Sequence, residues 1–180
     1  MTLTKKILGS VKGTADTFIE TGSYIGGGID AALQAGFADI RSIEFNDEWY
    51  AHCCRKYKDS PRVQLYHGES TDKLAEILSK LDVQALFWLD AHYDPKSQNP
   101  DQHVATNEPL IPELELIRGH HINTHVIMID DRRMFDDDNP SWPNTREKDV
   151  LGKLWEINPG YTITYLDSLT FTKDIIVAKL

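Results

Sequence analysis

Short apolar stretches alternate along the chain with longer segments in which apolar residues recur at helical spacing. Short apolar runs bounded by turn residues indicate buried strands, and a period of about 3.6 residues indicates amphipathic helices. The predicted strands are residues 17–21, 40–45, 63–66, 84–89, 125–129, 161–166 and 174–178. The predicted helices are residues 29–37, 48–57, 72–81, 108–118 and 146–157. Such alternation is typical of α/β proteins.

The order of these elements predicts one α/β domain, residues 1–180, with a Rossmann-like, doubly wound sheet. Repeated strand–helix units imply mostly parallel strands that are covered by helices on both faces. The strand 84–89 is more apolar than those before it, so we expect it at the centre of the sheet. After the stop at Asn158-Pro159-Gly160, the last two strands predict a C-terminal antiparallel hairpin.

Polar residues mark the helix starts, and two irregular segments interrupt the pattern. Asn46 or Asp47 is a plausible N-cap for the second predicted helix, and Ser70 for the third. The segments 90–107 and 132–145 lack periodicity. Irregular segments of this length inside a compact domain are commonly functional loops.

The charge and the cysteine content exclude several classes of protein. The chain has 19 Lys and Arg against 28 Asp and Glu, a formal net charge of −9, which argues against nucleic acid or anionic lipid as a partner. Its apolar runs fall well short of the roughly 20 residues that a membrane-spanning helix needs. The adjacent Cys53 and Cys54 cannot form a disulfide framework, so a reducing compartment fits best. We therefore expect a cytoplasmic protein, and a homo-oligomer is compatible with the sequence.

Candidate functional residues follow the predicted strands, because ligands bind outside the carboxyl ends of the strands in doubly wound sheets. The first strand leads into a turn with Glu20, Gly22 and Gly26, where glycines let the backbone turn sharply and approach a ligand. Glu44 ends the second strand, at about the spacing from the glycine turn at which an acidic residue binds ribose hydroxyls.

Three carboxylates are expected at neighbouring strand ends. Asp90 follows the fourth strand, and Asp130 and Asp131 follow the fifth. Like charges so placed repel one another unless a cation compensates, and oxygen ligands suit Mg²⁺. The alternative is that one aspartate caps a turn while Arg132 or Arg133 neutralises the pair.

Four short motifs together resemble the class I S-adenosylmethionine-dependent methyltransferases. They are Glu-Thr-Gly-x-x-x-Gly-Gly from Glu20, Gly-Glu-Ser from Gly68, Trp-Leu-Asp-Ala-His from Trp88 and Ile-Asp-Asp from Ile129. The nearest likeness is to metal-dependent sugar and macrolide O-methyltransferases, which carry an Asp after the fourth strand and Asp-Asp after the fifth. The resemblance covers about residues 16–180.

The resemblance implies a role for each matched residue. The methionine end of S-adenosylmethionine would contact Glu20, Gly22 and Gly26, the ribose Glu44, the adenine Glu69 and Ser70, and a Mg²⁺ ion Asp90, Asp130 and Asp131. The implied activity is Mg²⁺-assisted O-methylation of a small, sugar-like acceptor. Asp90 and His92 would be catalytic, with His92 either the general base or a donor that orders the loop. Tyr93 and Asp94 would shape the acceptor pocket.

Two other functions remain open. The sequence Gly26-x-Gly28-x-x-Ala31 fits the residue pattern of the dinucleotide-binding motif. If the motif were functional, the chain would be an NAD-dependent oxidoreductase. The domain could also bind the cofactor without turnover. His120, His121 and His125 precede the fifth strand, so we expect surface histidines there and no zinc site. The acidic run 136–138 is expected to be a solvated loop.

Overall fold

The computed structural model of the chain describes residues 3–92, 108–135, 139, 142 and 145–180. The strands are β1 Thr17–Thr21, β2 Asp39–Glu44, β3 Val63–His67, β4 Ala85–Leu89, β5 Val126–Ile129, β6 Thr162–Leu166 and β7 Ile175–Lys179. The helices are α1 Lys5–Val11, α2 Gly27–Gln34, α3 Asp47–Tyr57, α4 Ser70–Leu78, α5 Leu110–Arg118 and α6 Glu147–Ile157. A 3₁₀ helix, Arg132–Phe135, follows β5. Among these helices, none has the length and apolarity needed to cross a membrane.

The seven strands form one sheet in the order β3-β2-β1-β4-β5-β7-β6. Strands β1 to β5 pair in parallel, whereas β7 is antiparallel to both β5 and β6. The central strand is β4, and all five of its residues are buried. This arrangement confirms the predicted α/β class, the mostly parallel sheet and the C-terminal hairpin.

Each strand sends alternate side chains to opposite faces of the sheet, because the side-chain period of a strand is two. On β4, Leu86 and Trp88 pack in one apolar cluster together with Leu8 of α1 and Ile29 of α2. Its other residues pack in a second cluster with apolar side chains of α4, α5 and α6. The sheet is therefore covered on both faces, as a doubly wound fold requires.

The helix starts agree with the sequence at α3 but not at α4. The Asn46 side chain caps α3, accepting hydrogen bonds from the backbone N–H of Glu48 at 2.9 Å and Trp49 at 3.1 Å. Ser70 was predicted to cap α4, and this is wrong: Glu69 is the N-cap and Ser70 is the first helical residue. The Ser70 side chain instead hydrogen-bonds Glu113 on α5.

The expectation of surface histidines before β5 is wrong for His125, which is fully buried. Its Nδ1 accepts a hydrogen bond from the backbone N–H of Ala85 at 3.1 Å. Its Nε2 lies 3.0 Å from Nδ1 of His120, whose Nε2 lies 2.9 Å from the carbonyl oxygen of Leu81. Because that carbonyl can only accept, His120 donates to it, and His125 donates to His120. Neutral rings satisfy the whole chain of bonds.

The burial of His125 predicts acid-sensitive stability. Burial and the nearby His120 and His121 lower its pKa from 6.5 to about 4. A depressed pKa means that the neutral ring stabilises the fold above pH 6.5, and that this contribution is lost as the pH falls towards 4. We expect the stability gap between wild type and His125→Gln to shrink by up to about 3 kcal/mol between pH 7.5 and 4.

Urea unfolding monitored by circular dichroism across that pH range measures this gap. The control is His121→Gln, because His121 is exposed and its replacement leaves the buried chain of bonds in place. A gap for His125→Gln that stays constant with pH would contradict the assignment.

Candidate active site

The turn after β1 encloses a buried carboxyl group. Glu20 is 1% exposed, and its Oε2 accepts a hydrogen bond of 2.6 Å from the hydroxyl of Ser42. A side chain at Gly28 would overlap Glu20 Oε1, so the carboxyl lies directly against the first turn of α2. Burial, assisted by repulsion from Glu44 and Asp30, raises the pKa of Glu20 to about 8 in spite of the Ser42 bond. Glu20 therefore supports the turn from beneath.

Two glycines shape the turn through positive φ angles. Gly22 has φ +88°, and a Cβ there would lie 2.8 Å from the carbonyl oxygen of Asp90 and 3.3 Å from Cα of Ala91. The turn after β1 thus touches the loop after β4. Gly26 has φ +83°, and a Cβ there would overlap Tyr57, whose hydroxyl lies 2.6 Å from the Gly26 carbonyl oxygen. Only glycine satisfies both requirements at these positions.

Glu44 ends β2 beside this turn and holds it in place. Its Oε2 accepts from the backbone N–H of Tyr24 and its Oε1 from that of Asn46, both at 2.7 Å. Burial raises the pKa of Glu44 although these bonds oppose the shift. The backbone N–H of Phe45 also hydrogen-bonds this carboxylate, so three backbone groups hold Glu44 at the end of β2.

A narrow acidic cleft lies at the carboxyl ends of β4 and β5. Its acidic lining consists of Asp90, Glu113, Asp130 and Asp131, and its apolar wall includes Leu110, Phe135 and Trp142. The pKa of Asp90 is raised well above its usual value, first by burial and then by Asp130 and Asp131. The structure therefore brings the three predicted metal ligands to one cleft.

Among the described residues, two overlapping groups place ligand atoms within 4.8 Å of one another. One is Asp90, His92 and Asp131, and the other is Asp130, Asp131 and Asp174. Arg133 already pairs with both Asp131, at 2.6 Å, and Asp174. Because Asp131 belongs to both groups, Arg133 neutralises each of them in part, and the second more fully through Asp174. The predicted trio of Asp90, Asp130 and Asp131 is not itself one of the two groups.

His92 lies between two carboxylates of the first group. Its Nδ1 is 3.7 Å from Asp90 Oδ1 and 3.8 Å from Asp131 Oδ2. Asp131 has φ +57°, a left-handed conformation that aspartate tolerates better than most residues. Backbone strain of this kind is concentrated at functional sites. Trp142 is buried at the cleft, with its ring centroid 6.0 Å from that of His92.

Glu113 belongs to the cleft, although sequence reasoning did not select it. It is 1% exposed, and its Oε2 lies 3.4 Å from the hydroxyl of Thr21 and bonds Ser70. Burial raises its pKa to about 7 in spite of these two hydrogen bonds. The signal in the sequence is its spacing, since Glu113 lies one helical turn from the buried Leu110 and Ile117.

The acceptor-pocket residues predicted at Tyr93 and Asp94, and the acidic run 136–138, lie outside the described residues. The other predicted site residues fall at the carboxyl edge of the sheet. Glu69 is at the start of α4, directly after β3.

Comparisons with known proteins identify the fold. No protein-family model and no curated protein matches the sequence. Solved structures do match. A methyltransferase from Podospora anserina with S-adenosylhomocysteine bound has a TM-score of 0.61 at 14% identity, over 97% of this chain and 75% of that one. An O-methyltransferase from Bacillus cereus, also with S-adenosylhomocysteine, has a TM-score of 0.65 at 11% identity, over 97% and 77%.

The same fold also occurs with other chemistry. Spermidine synthase from Thermotoga maritima matches with a TM-score of 0.57 at 14% identity, over 97% of this chain and 58% of that one. The chain therefore has the class I methyltransferase fold, which agrees with the resemblance in its motifs. Because one fold hosts several reactions, the activity has to be argued from the site.

The turn geometry predicts different costs for two glycine substitutions. Gly36 has φ +79° and open space within 4 Å of the point where a Cβ would lie, whereas Gly26 combines φ +83° with overlap of Tyr57. We expect Gly36→Ala to cost about 1 kcal/mol from backbone strain alone, and Gly26→Ala about 2 to 4 kcal/mol because overpacking adds to the strain. Chemical denaturation compares the two. Equal costs would show that Tyr57 does not constrain the turn.

Proposed function

We propose that this chain is an S-adenosylmethionine-dependent methyltransferase that acts on a hydroxyl group of a small acceptor. The observation that carries this proposal is the contact of Gly22 with the backbone of Asp90 and Ala91. That contact joins the glycine turn, where the cofactor would bind, to the acidic cleft, where the acceptor would bind. In methyl transfer, the acceptor has to lie close to the methyl group and in line with the bond that breaks, so the two binding regions have to adjoin.

In this proposal, the residues around the glycine turn each contact one part of the cofactor. Gly22 and Gly26 would lie against the methionine end, and Glu44 would bind the ribose hydroxyls. Glu69, at the start of α4, would lie by the adenine amino group. We assign Glu20 a supporting role beneath the turn, because its carboxyl is buried against Gly28.

The dinucleotide-binding alternative has little support. Its pattern begins at Gly26, which is the N-cap of α2, whereas β1 already ends at Thr21. A dinucleotide fingerprint needs its first glycine directly after the strand. The residue near that position is Gly22, and its surroundings do not continue the pattern.

The residues of the cleft suggest how the acceptor is activated. When bound, S-adenosylmethionine would supply an electrophilic methyl group; Asp90 and Asp131 would hold a divalent cation, which would make an acceptor hydroxyl more acidic. His92 lies beside the same two carboxylates and would take the hydroxyl proton as general base. Asp130 adds negative charge that favours the cation.

The acceptor and the compartment are finer proposals. Several carboxylates that can accept hydrogen bonds, facing an apolar wall, favour a small polyhydroxylated, sugar-like molecule. Cys53 and Cys54 are free thiols, as predicted, and this favours the cytoplasm. We further propose that neither nucleic acid nor a membrane is a partner, on the basis of the net charge of −9.

Binding of S-adenosylhomocysteine tests the cofactor assignment. We expect Glu44→Ala to weaken binding by roughly 1.5 to 3 kcal/mol, the range for hydrogen bonds to a charged group. Isothermal titration calorimetry measures the dissociation constant, and Glu48→Ala is the control, because Glu48 is an exposed carboxylate on the adjoining helix. Wild type should not bind NAD(H).

The possible outcomes separate two questions. A wild-type protein that does not bind S-adenosylhomocysteine would overturn the proposed function. An unchanged dissociation constant in a folded Glu44→Ala variant would remove only the ribose assignment. Cofactor binding without any product from a broad acceptor panel would favour a domain that binds without turnover.

The metal proposal predicts a stabilisation by Mg²⁺ that depends on Asp131. At a concentration about 100-fold above the dissociation constant, a ligand of the native state stabilises it by about 2.7 kcal/mol, which raises the melting temperature. We expect Asp131→Asn to lose this response, since Asp131 is common to both groups. Asp174→Asn should melt lower but keep it, because Asp174 belongs only to the group that Arg133 occupies.

Crystals soaked in Mn²⁺ give an independent measurement. An anomalous peak between Asp90 and Asp131 is the expected result. A peak beside Asp174 would move the metal to the other group, and the absence of any peak with S-adenosylhomocysteine bound would remove the metal from the proposal.

A further inference from the structure

Glu113 is a buried carboxyl group that the proposed mechanism does not use. It lies in the first turn of α5 and borders the acidic cleft, with 1% of its surface exposed. Burying a carboxyl group is unfavourable unless hydrogen bonds or an opposite charge compensate. The partners of its two oxygens therefore indicate what the group can do.

The two oxygens of Glu113 have different surroundings. Oε2 lies 3.4 Å from the hydroxyl of Thr21, and that hydroxyl in turn lies 3.3 Å from the backbone N–H of Asp90, which donates to it. Ser70 also hydrogen-bonds the carboxyl group. Oε1 is buried and has no hydrogen-bond partner among the described residues. One oxygen is thus anchored to the ends of β1 and β4, whereas the other is buried without a described partner.

No described basic side chain forms an ion pair with Glu113. The basic groups near the cleft are engaged elsewhere: Arg133 pairs with Asp131 and Asp174, and His92 lies between Asp90 and Asp131. Glu113 is also absent from both groups of described residues that could share a metal ion. A metal held by the aspartates would therefore leave its charge uncompensated.

An organic cation is one ligand that matches the ionised form of Glu113. Leu110 and Phe135 form part of the apolar wall of the same cleft, so the site combines an apolar surface with a buried carboxylate. An ammonium group at Oε1 would supply both the missing hydrogen bond and the missing charge. Burial has raised the pKa of Glu113 to about 7, and a bound cation would favour the ionised carboxylate.

We propose that Glu113 is a specificity-determining residue that pairs with an ammonium group of the methyl acceptor. This inference rests on the proposed function and narrows it, because the acceptor becomes a small hydroxylated amine. The hydroxyl is the group that is methylated, and the ammonium group fixes its orientation.

Three probes with the same ring test the pairing: benzylamine, benzyl alcohol and toluene. Their dissociation constants are measured by ligand-observed NMR titration at pH 8, with S-adenosylhomocysteine present. We expect wild type to bind benzylamine at least tenfold more tightly than toluene, and more tightly than benzyl alcohol. Glu113→Gln should lose at least tenfold for benzylamine and little for toluene. The control is Glu115→Gln on the same helix, where the carboxylate already pairs with Arg118 and Lys153.

A second measurement distinguishes binding from a purely structural role. If Glu113 only held Thr21 and Ser70 in place, Glu113→Gln would lower the melting temperature and leave the probe preference unchanged. We expect the opposite, a melting temperature at pH 8 that is no lower than that of wild type together with the lost preference. If Glu113→Gln does not fold, Glu113→Asp serves the same test, because it keeps the charge but withdraws it from the cleft.

The outcomes keep the two proposals apart. Binding of S-adenosylhomocysteine without a preference of wild type for benzylamine overturns the role of Glu113 alone, as does a preference for benzylamine that the variant keeps. A preference that depends on Glu113 in a protein that does not bind S-adenosylhomocysteine supports the cation site and overturns the methyltransferase proposal.

Discussion

The burial of several carboxyl groups at one edge of the sheet is the constraint on which the rest of the site depends. Burial is the largest cause of a raised pKa at Glu20, Glu44, Asp90 and Glu113 alike. Water no longer stabilises their charges, so each group either keeps its proton or is stabilised as an anion by neighbouring groups or a bound cation. Hydrogen bonds from Ser42, Thr21 and the backbone meet part of this need. A sulfonium cofactor, a divalent cation and an ammonium group would meet the remainder, and the proposed function brings all three to this edge.

Buried polar groups are accommodated differently at the two ends of the sheet. At the amino end of β4, His125 and His120 hydrogen-bond each other and the adjacent backbone. These bonds indicate a structural role for this end of the sheet. At the carboxyl end, Gly22, Gly26 and Asp131 have positive φ angles, and a carboxylate oxygen of Glu113 lacks a described partner. Proteins commonly accept strain and unmatched polar groups where a ligand will bind. The apolar clusters on both faces of the sheet stabilise the fold and offset the cost of the strain and of the unpaired oxygen.

Local signals predicted the strands, the cap at Asn46 and the meeting of Asp90 with Asp130 and Asp131, because each depends on short-range pattern or on the geometry common to parallel sheets. Local signals gave wrong predictions where the environment of a side chain depends on a residue that is distant in the sequence. Ser70 has the chemistry of a cap, but its hydroxyl is engaged by Glu113 on another helix. His125 is polar, but the start of β4 offers it a buried donor. The spacing of α5 placed Glu113 on the buried face, yet only the folded chain shows which groups surround it.

The acceptor side of the cleft also bears on whether the domain catalyses a reaction or only binds a cofactor. A protein that only bound the cofactor would need the glycine turn and Glu44, and these are complete without the cleft. The buried carboxyl group of Glu113 and the histidine beside two aspartates line the cleft rather than the glycine turn, and burying a carboxyl group costs stability. Methyl transfer to a hydroxyl, by contrast, requires a group that orients the acceptor and a group that takes its proton. Under the proposed function, Glu113 and His92 would fill those two requirements, which favours an enzyme over a binding module.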